Sequence, residues 1–217
     1  MSLNIARFRL RLIVKEGLFL PEYKGSALRG GFGFALRRAI CLQEKNECHA
    51  CILRHKCIYA YVFDTPPPPD SSILKRISNV PHPFILEPPL TAKNAYEKGE
   101  ALDFTLVLLG RAIEYLPYFI FTFEELGKIG LGKGKGKFQL EEVYSVGPEG
   151  QEKIIFYGKE KTLLDCYDLV DARGILHNKV DYKSESLTLH FLTPTRIKYE
   201  GHFISDLEFF ILIMNLS

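Results

Sequence analysis

Between residues 4 and 15 polar and apolar positions alternate, with Ala6, Phe8, Leu10, Leu12 and Val14 on one side and Arg7, Arg9, Arg11 and Lys15 on the other. A period of two predicts a strand with one apolar and one basic face. Over residues 25–42 the period changes. Leu28, Phe32, Ala35, Leu36, Ala39 and Ile40 recur at helical spacing and predict an amphipathic helix. Gly30, Gly31 and Gly33 weaken that helix and need a reason, either a ligand backbone at the first-turn N–H groups or tight packing on the sheet. Strands are predicted at 83–87 and 102–109. A helix is predicted at 111–126, striped by Ile113, Leu116, Ile120 and Phe123 and kinked or restarted at Pro117. Another strand is predicted at 137–146. The order strand, helix, strand, strand, helix, strand is that of a ferredoxin-like (RRM-like) domain.

After Gly147 the chain is more acidic and less regular, then offers a strand at 186–193 and a helix from 205. In that helix Leu207, Phe209, Phe210, Ile211, Leu212, Ile213, Met214 and Leu216 leave almost no polar face, so it is expected to be buried against further chain or a second copy. The expected fold class is therefore α+β, a ferredoxin-like domain followed by an incomplete second one. Residues 1–147 form the first domain, with a Cys-rich insertion at 41–57 and a glycine-rich loop at 127–137. Residues 148–217 are a connector plus the first strand and helix of the second. The four prolines within 65–70 mark an extended connector.

Composition narrows the function classes. The chain has 217 residues, 47% hydrophobic and 25% charged, enough to bury a core. No apolar run reaches the roughly 18 residues of a membrane span and the first residues form no signal core, so a cytoplasmic protein without membrane contact is expected. Net charge is only +2, but residues 1–63 hold eleven Lys or Arg against four acids. Residues 127–140 add Lys128, Lys133, Lys135 and Lys137 with no acid. In that second segment lysines alternate with Gly130, Gly132, Gly134 and Gly136. Glycine permits positive φ and lets N–H groups approach a phosphate, and lysine supplies the charge. No Gly-Lys-Ser/Thr ending makes it a Walker loop, and its place between a helix and a strand excludes a dinucleotide fingerprint. A solvated basic hairpin is the plainer alternative.

Cys41, Cys48, Cys51 and Cys57 have the spacing C-x6-C-x2-C-x5-C. In a cytosolic chain this spacing suggests structural zinc, with an iron–sulfur cluster or unliganded thiols as alternatives and His49 or His55 able to replace one ligand. Cys166 stands alone and reads as a buried apolar residue. His82, between two prolines, reads as structural.

The run FEELGKIGLGKGKGKFQLEEV at 123–143, with LPEYKGSALRGGFGFALRRAIC at 20–41, VPHPFILEPP at 80–89 and LTPTRIKYEG at 192–201, resembles the CRISPR repeat-processing endoribonucleases, the sixth Cas family of the CRISPR-associated RAMP superfamily. The resemblance implies two tandem ferredoxin-like domains with a glycine-rich loop against the RNA backbone. It implies metal-independent cleavage of precursor CRISPR RNA, in which the ribose 2′-OH attacks the adjacent phosphate to leave a 2′,3′-cyclic phosphate. An incomplete second domain departs from that pattern and opens the alternative of a non-catalytic RNA-binding subunit of a CRISPR effector complex. Such chemistry needs an acid, a base and a cation. The family's histidine near the end of the first helix points here to His49 or His55, with Tyr23 assisting. The implied RNA contacts are Arg7, Arg9, Arg11, Lys24, Arg29, Lys128, Gly130, Gly132, Lys133, Gly134, Lys135, Gly136 and Lys137. The implied partners are CRISPR repeat RNA and either effector-complex subunits or a second copy of the chain.

Overall fold

The computed structural model describes residues 3–41, 48–66, 80–177, 188–199, 202–204, 206 and 208–216. The chain divides into two compact units, Met1–Val180 and Asp181–Ser217. The first contains β1 (Asn4–Val14), β2 (Leu18–Phe19), α1 (Gly25–Ile40), β3 (Phe84–Glu87), β4 (Ala95–Tyr96), β5 (Ala101–Leu109), α2 (Leu116–Ile129), β6 (Phe138–Val146), β7 (Glu152–Tyr157), β8 (Thr162–Leu163), β9 (Val170–Asp171) and α3 (Ala172–His177). It is a mixed α+β unit. Its main sheet runs β3-β5-β1-β6-β7-β8, with β9 on the start of β1, and every pairing is antiparallel.

β1 is central because its alternation suits a strand covered on one face. Phe8, Leu10, Leu12 and Val14 are fully buried, while Arg7, Arg9 and Arg11 take the opposite face. The buried face meets α1 and α2 through an aromatic cluster. The Phe32 ring lies 4.9 Å from Phe119 and 5.0 Å from Phe123, centroid to centroid. Truncating such a ring costs about 3–5 kcal/mol, so Phe32 is a main tie between the two helices and the sheet. A bulge between β1 and β6 pairs Arg11 with Glu142 and Leu12 with Leu140, which leaves Glu141 as the extra residue. It brings the Glu142 carboxylate opposite a basic residue.

Pro117 marks a restart. A 3-10 turn at Gly110–Tyr115 precedes α2, and Pro117 sits in the first turn of α2, where its missing N–H costs nothing. The helix glycines have a packing explanation at two of the three positions. A Cβ on Gly31 would come 2.6 Å from Leu131, and one on Gly33 would come 2.9 Å from Phe63. The nearest atoms belong to Leu126 of α2 and Leu131 of the loop after it at Gly31, and to Phe63 of the segment after α1 at Gly33. The sheet continues past residue 147, because β7 pairs along most of β6.

The unit Asp181–Ser217 contains a two-residue hairpin, β10 (Lys198–Tyr199) with β11 (His202–Phe203), and α4 (Phe209–Leu216). The strand expected at 186–193 does not form over residues 188–193, and residues 186 and 187 lie outside the described residues. Leu189, Phe191 and Leu192 stay at least half exposed with no neighbouring strand among the described residues to take up their backbone groups. In α4 Ile211 and Leu212 are buried and Phe210 meets Tyr199 edge-on at 5.6 Å.

Candidate nucleic-acid interface

The loop between α2 and β6 is a compact hydrogen-bonded structure. The Leu131 N–H donates to Gly136 O at 3.0 Å, the Lys135 N–H donates to Gly132 O at 3.2 Å, and the Lys133 N–H donates to Phe19 O at 2.9 Å. Gly130 and Gly132 have φ of 92° and 71°, and a Cβ on either would come 2.1 Å from a carbonyl oxygen, of Lys135 and Phe19 respectively. These two glycines are required by the protein's own backbone crossings. Gly134 differs, since its φ is 83° but a Cβ there would meet open space. Around it Lys133, Lys135 and Lys137 are exposed. Lys137 pairs with Glu16 at 3.1 Å and Lys128 pairs with Glu125. Lys133 and Lys135 have no acidic partner among the described residues. Lys135 itself is left-handed, with φ of 53°, a conformation that costs a non-glycine residue free energy.

The arginine face of β1 is different. Arg7 meets Glu87 at 3.0 Å. Arg9 grips Glu152 with Nε at 2.6 Å and Nη2 at 2.5 Å, and it lies 3.9 Å above the Tyr144 ring. Arg11 holds both oxygens of Asp103 at 3.1 Å and comes within 3.9 Å of Glu142. Arg9, through its hydrogen bonds and charge, holds the Glu152 carboxyl below its ordinary value, and Glu152 raises the pKa of Arg9 in turn. The basic strand face is therefore a charge-matched lattice.

Lys24, expected on the RNA, is fully buried. Its ammonium donates to the carbonyls of Glu22 at 2.9 Å and Thr91 at 2.7 Å, so it ties the start of α1 to the segment before β4 and presents no charge to solvent. Arg29 lies over the rings of Phe84 and Phe63, at 4.7 and 5.3 Å, and burial lowers its pKa. Beside it His82 Nδ1 shares a 2.9 Å hydrogen bond with Thr65 Oγ1, and burial holds its imidazole below the usual value, which suits a structural histidine.

The four clustered cysteines are partly buried and form no disulfide among the described residues, and the same holds for Cys166, which packs against the core. Among the described residues no three His, Cys, Asp or Glu side chains gather as a metal-ligand set. Arg37 Nη2 reaches Cys48 Sγ at 3.9 Å and also contacts Cys41. Burial raises the Cys48 thiol pKa against the pull of Arg37, with Asp64, Cys41 and Cys57 adding to the rise. The donor set suits a thiophilic ion, and the turn in which the Cys51 N–H donates to Cys48 O at 3.3 Å is the kind that a C-x2-C half-site uses. His49 lines a cleft of about 280 Å³ with Arg37, Cys48, Tyr59, Phe63 and Asp64. His55 is exposed and does not line that cleft. Tyr23 packs over Gly25 at the start of α1. Tyr23 thus sits at the first turn of α1, whereas His49 shares its cleft with Arg37 of the last turn. Among the described residues no hydrogen bond joins Tyr23 to His49 or His55.

Two features escape a reading of the sequence. A cleft of about 550 Å³ between α1 and α2 is lined by Ala35, Arg38, Ala39, Phe121, Glu125, Lys128, Ile129 and Lys135. Phe19, 54% exposed, is bridged to Lys133 through the backbone. The signal for Phe121 was its phase, since it falls one residue off the apolar stripe of Ile120 and Phe123.

No helix among the described residues is long and apolar enough to cross a membrane. An uncharacterized protein of Archaeoglobus fulgidus is 27% identical over 197 residues, which make up 91% of this chain and 63% of that protein. The chain thus spans less than two-thirds of the length of that relative. The family model AF_1859_N, described as an N-terminal domain, matches residues 3–166, from the first residue before β1 to beyond β8. That span covers most of the Met1–Val180 unit, so the chain belongs to the AF_1859_N family of N-terminal domains.

Proposed function

We propose that the chain is an RNA-binding protein of the CRISPR-associated RAMP superfamily and that its first unit is a ferredoxin-like domain. The order β1-α1-β3-β5-α2-β6, with β5 and β6 flanking β1 and β3 outside β5, matches that arrangement. A second ferredoxin-like domain opening within residues 148–217 rests on α4 alone. The observation that carries RNA binding is the loop between α2 and β6, where Lys133 and Lys135 are exposed without acidic partners on a rigid backbone. Preplaced cations of this kind attract a phosphate chain in a salt-dependent way.

The partner on this reading is CRISPR repeat RNA in the cytoplasm, with effector-complex subunits or a second copy of the chain alongside. The reaction is attack of a ribose 2′-OH on the adjacent phosphate, which breaks the P–O5′ bond and gives a 2′,3′-cyclic phosphate and a 5′-OH without a metal. The proton lost by the 2′-OH is matched by one delivered to the departing 5′-oxygen. His49 moves the proton and Arg37, in the same cleft, offsets the phosphorane charge. A second reading, a non-catalytic RNA-binding subunit, is favoured by the placing of Tyr23 at the first turn of α1 and of His49 beside Arg37 of its last turn. A structural zinc on Cys41, Cys48, Cys51 and Cys57, or an iron–sulfur cluster in its place, belongs to both readings. It is tested by the metal content of the purified protein and by loss of that metal in Cys51→Ser.

The deciding experiment incubates the full chain with repeat RNA in EDTA, on gels at about 50 and 200 mM salt. Cleavage that His49→Ala abolishes supports the nuclease. Salt-sensitive binding without cleavage supports the subunit, and no binding at either salt removes both.

A further inference from the structure

The cleft between α1 and α2 lies beside the glycine loop, and its lining is chemically mixed in a particular way. Phe121 is 48% exposed, and on α2 it shares a face with Glu125 and Lys128 at i, i+4 and i+7. Ala35 and Ala39, one turn apart on α1, supply small walls with Ile129. The Lys128 ammonium is taken by Glu125. Arg38 and Lys135 also line the cleft, and neither has an acidic partner among the described residues. Lys135 lines it from a left-handed backbone with φ of 53°. Strain of that kind on a non-glycine residue is a recurrent feature of ligand sites. The volume of about 550 Å³ falls within the range of sites that hold small ligands.

We propose that this cleft is a subsite for one unpaired nucleotide of a bound RNA, with the base stacked on Phe121 and the adjoining phosphate between Arg38 and Lys135. The inference rests on the RNA-binding reading and deepens it by naming the form of RNA. An aromatic ring flanked by unmatched cations is the recurring recipe for single-stranded nucleic acid. In a duplex the bases are stacked and paired, so they offer no free face to Phe121. A protein segment is disfavoured because four of the eight lining residues are charged and three of those are cations.

The chain contains no tryptophan, so Phe121→Trp places a single indole in the cleft. The full chain carrying this substitution is titrated with oligoadenylate, with an abasic ribose-phosphate oligomer of the same length and with a blunt duplex RNA. Saturable fluorescence quenching by oligoadenylate, and little by the other two, is the expected result. In parallel Phe121→Ala lowers affinity for oligoadenylate about tenfold. Phe34→Ala, which alters an exposed ring outside the cleft lining, leaves it unchanged. Equal quenching by the abasic oligomer overturns the stacking assignment. Wild-type affinity in Phe121→Ala with no quenching in Phe121→Trp overturns the cleft while the loop reading stands. Failure of the unsubstituted chain to bind any of the RNAs overturns the loop reading itself. A change in sedimentation of Phe121→Ala without a change in RNA affinity assigns the cleft to a protein and overturns the proposal.

Discussion

Arg7, Arg9 and Arg11 on β1 and Lys133 and Lys135 in the loop are basic motifs of similar density in the sequence. Each of the arginines ends against a carboxylate, while the two lysines end in solvent. The arginines lie on a sheet face into which β3, β5, β6 and β7 bring Glu87, Asp103, Glu142 and Glu152, so their charge is spent inside the molecule. The lysines stand on a loop whose backbone is held by its own turn and by Phe19, and no carboxylate among the described residues reaches Lys133 or Lys135. Charge available to a partner is thus set by what the topology places opposite a residue, and a count along the chain does not reveal it.

Four experiments break or sharpen that contrast. Gly132→Ala puts a Cβ 2.1 Å from Phe19 O at a φ of 71°. It is expected to lower stability in urea by about 3 kcal/mol and to abolish RNA binding with it. Gly134→Ala, with open space around it, costs about 1 kcal/mol. Equal losses at the two positions would remove the distinction between a packed loop frame and a free tip. Next, Lys133→Ala with Lys135→Ala is expected to reduce the slope of log affinity against log salt by about 1.4. Arg7→Ala with Arg11→Ala should leave the slope unchanged, and a similar drop in both would mean the arginine face also meets RNA.

A smaller effect comes from Glu152→Gln, which takes the charge from the bidentate partner of Arg9. Both side chains are partly in solvent, so the expected loss is at most about 1 kcal/mol, read by urea unfolding at neutral pH. A gain in RNA affinity in this variant would show that the sheet face is available after all. The smallest effect is the pH dependence of that same loss. Because Arg9 depresses the Glu152 pKa, the contribution is present above the unfolded carboxyl value of about 4.3 and disappears as pH falls through the lower folded value. The stability difference between wild type and Glu152→Gln should therefore vanish toward pH 3, and a constant difference would deny the ion pair.

Much of the first unit was legible because its signals are local. The alternation around Phe8 and Leu10 gave β1, the spacing of Leu28, Phe32 and Leu36 gave α1, and Pro117 announced a boundary that became the start of α2. The glycine loop was legible as a basic turn. What escaped depends on contacts between distant residues. Glu152 lies 143 positions from Arg9, and nothing near Lys24 in the sequence reveals that Thr91 O will take its ammonium. Tyr23 and His49 flank α1 in the chain, but one packs at its first turn and the other beside its last, a separation that chain order alone does not express. β7 shows no clean alternation, because the register shift against β6 leaves the adjacent residues Ile155 and Phe156 both buried. The strand expected over 186–193 had suitable residues, yet over its described part it has no partner strand.

The central position of β1 has a consequence for biosynthesis. Arg7 pairs with Val107 on one side and with Val146 on the other, so the strand made first is completed last. At about 5–20 residues per second the edge of β1 that β6 will take stays open for on the order of ten seconds. Phe8, Leu10 and Leu12 would make such a strand a template for association with other nascent chains. Arg7, Arg9 and Arg11, interleaved with them, put like charges on any two such strands, which is the pattern of residues that limit association.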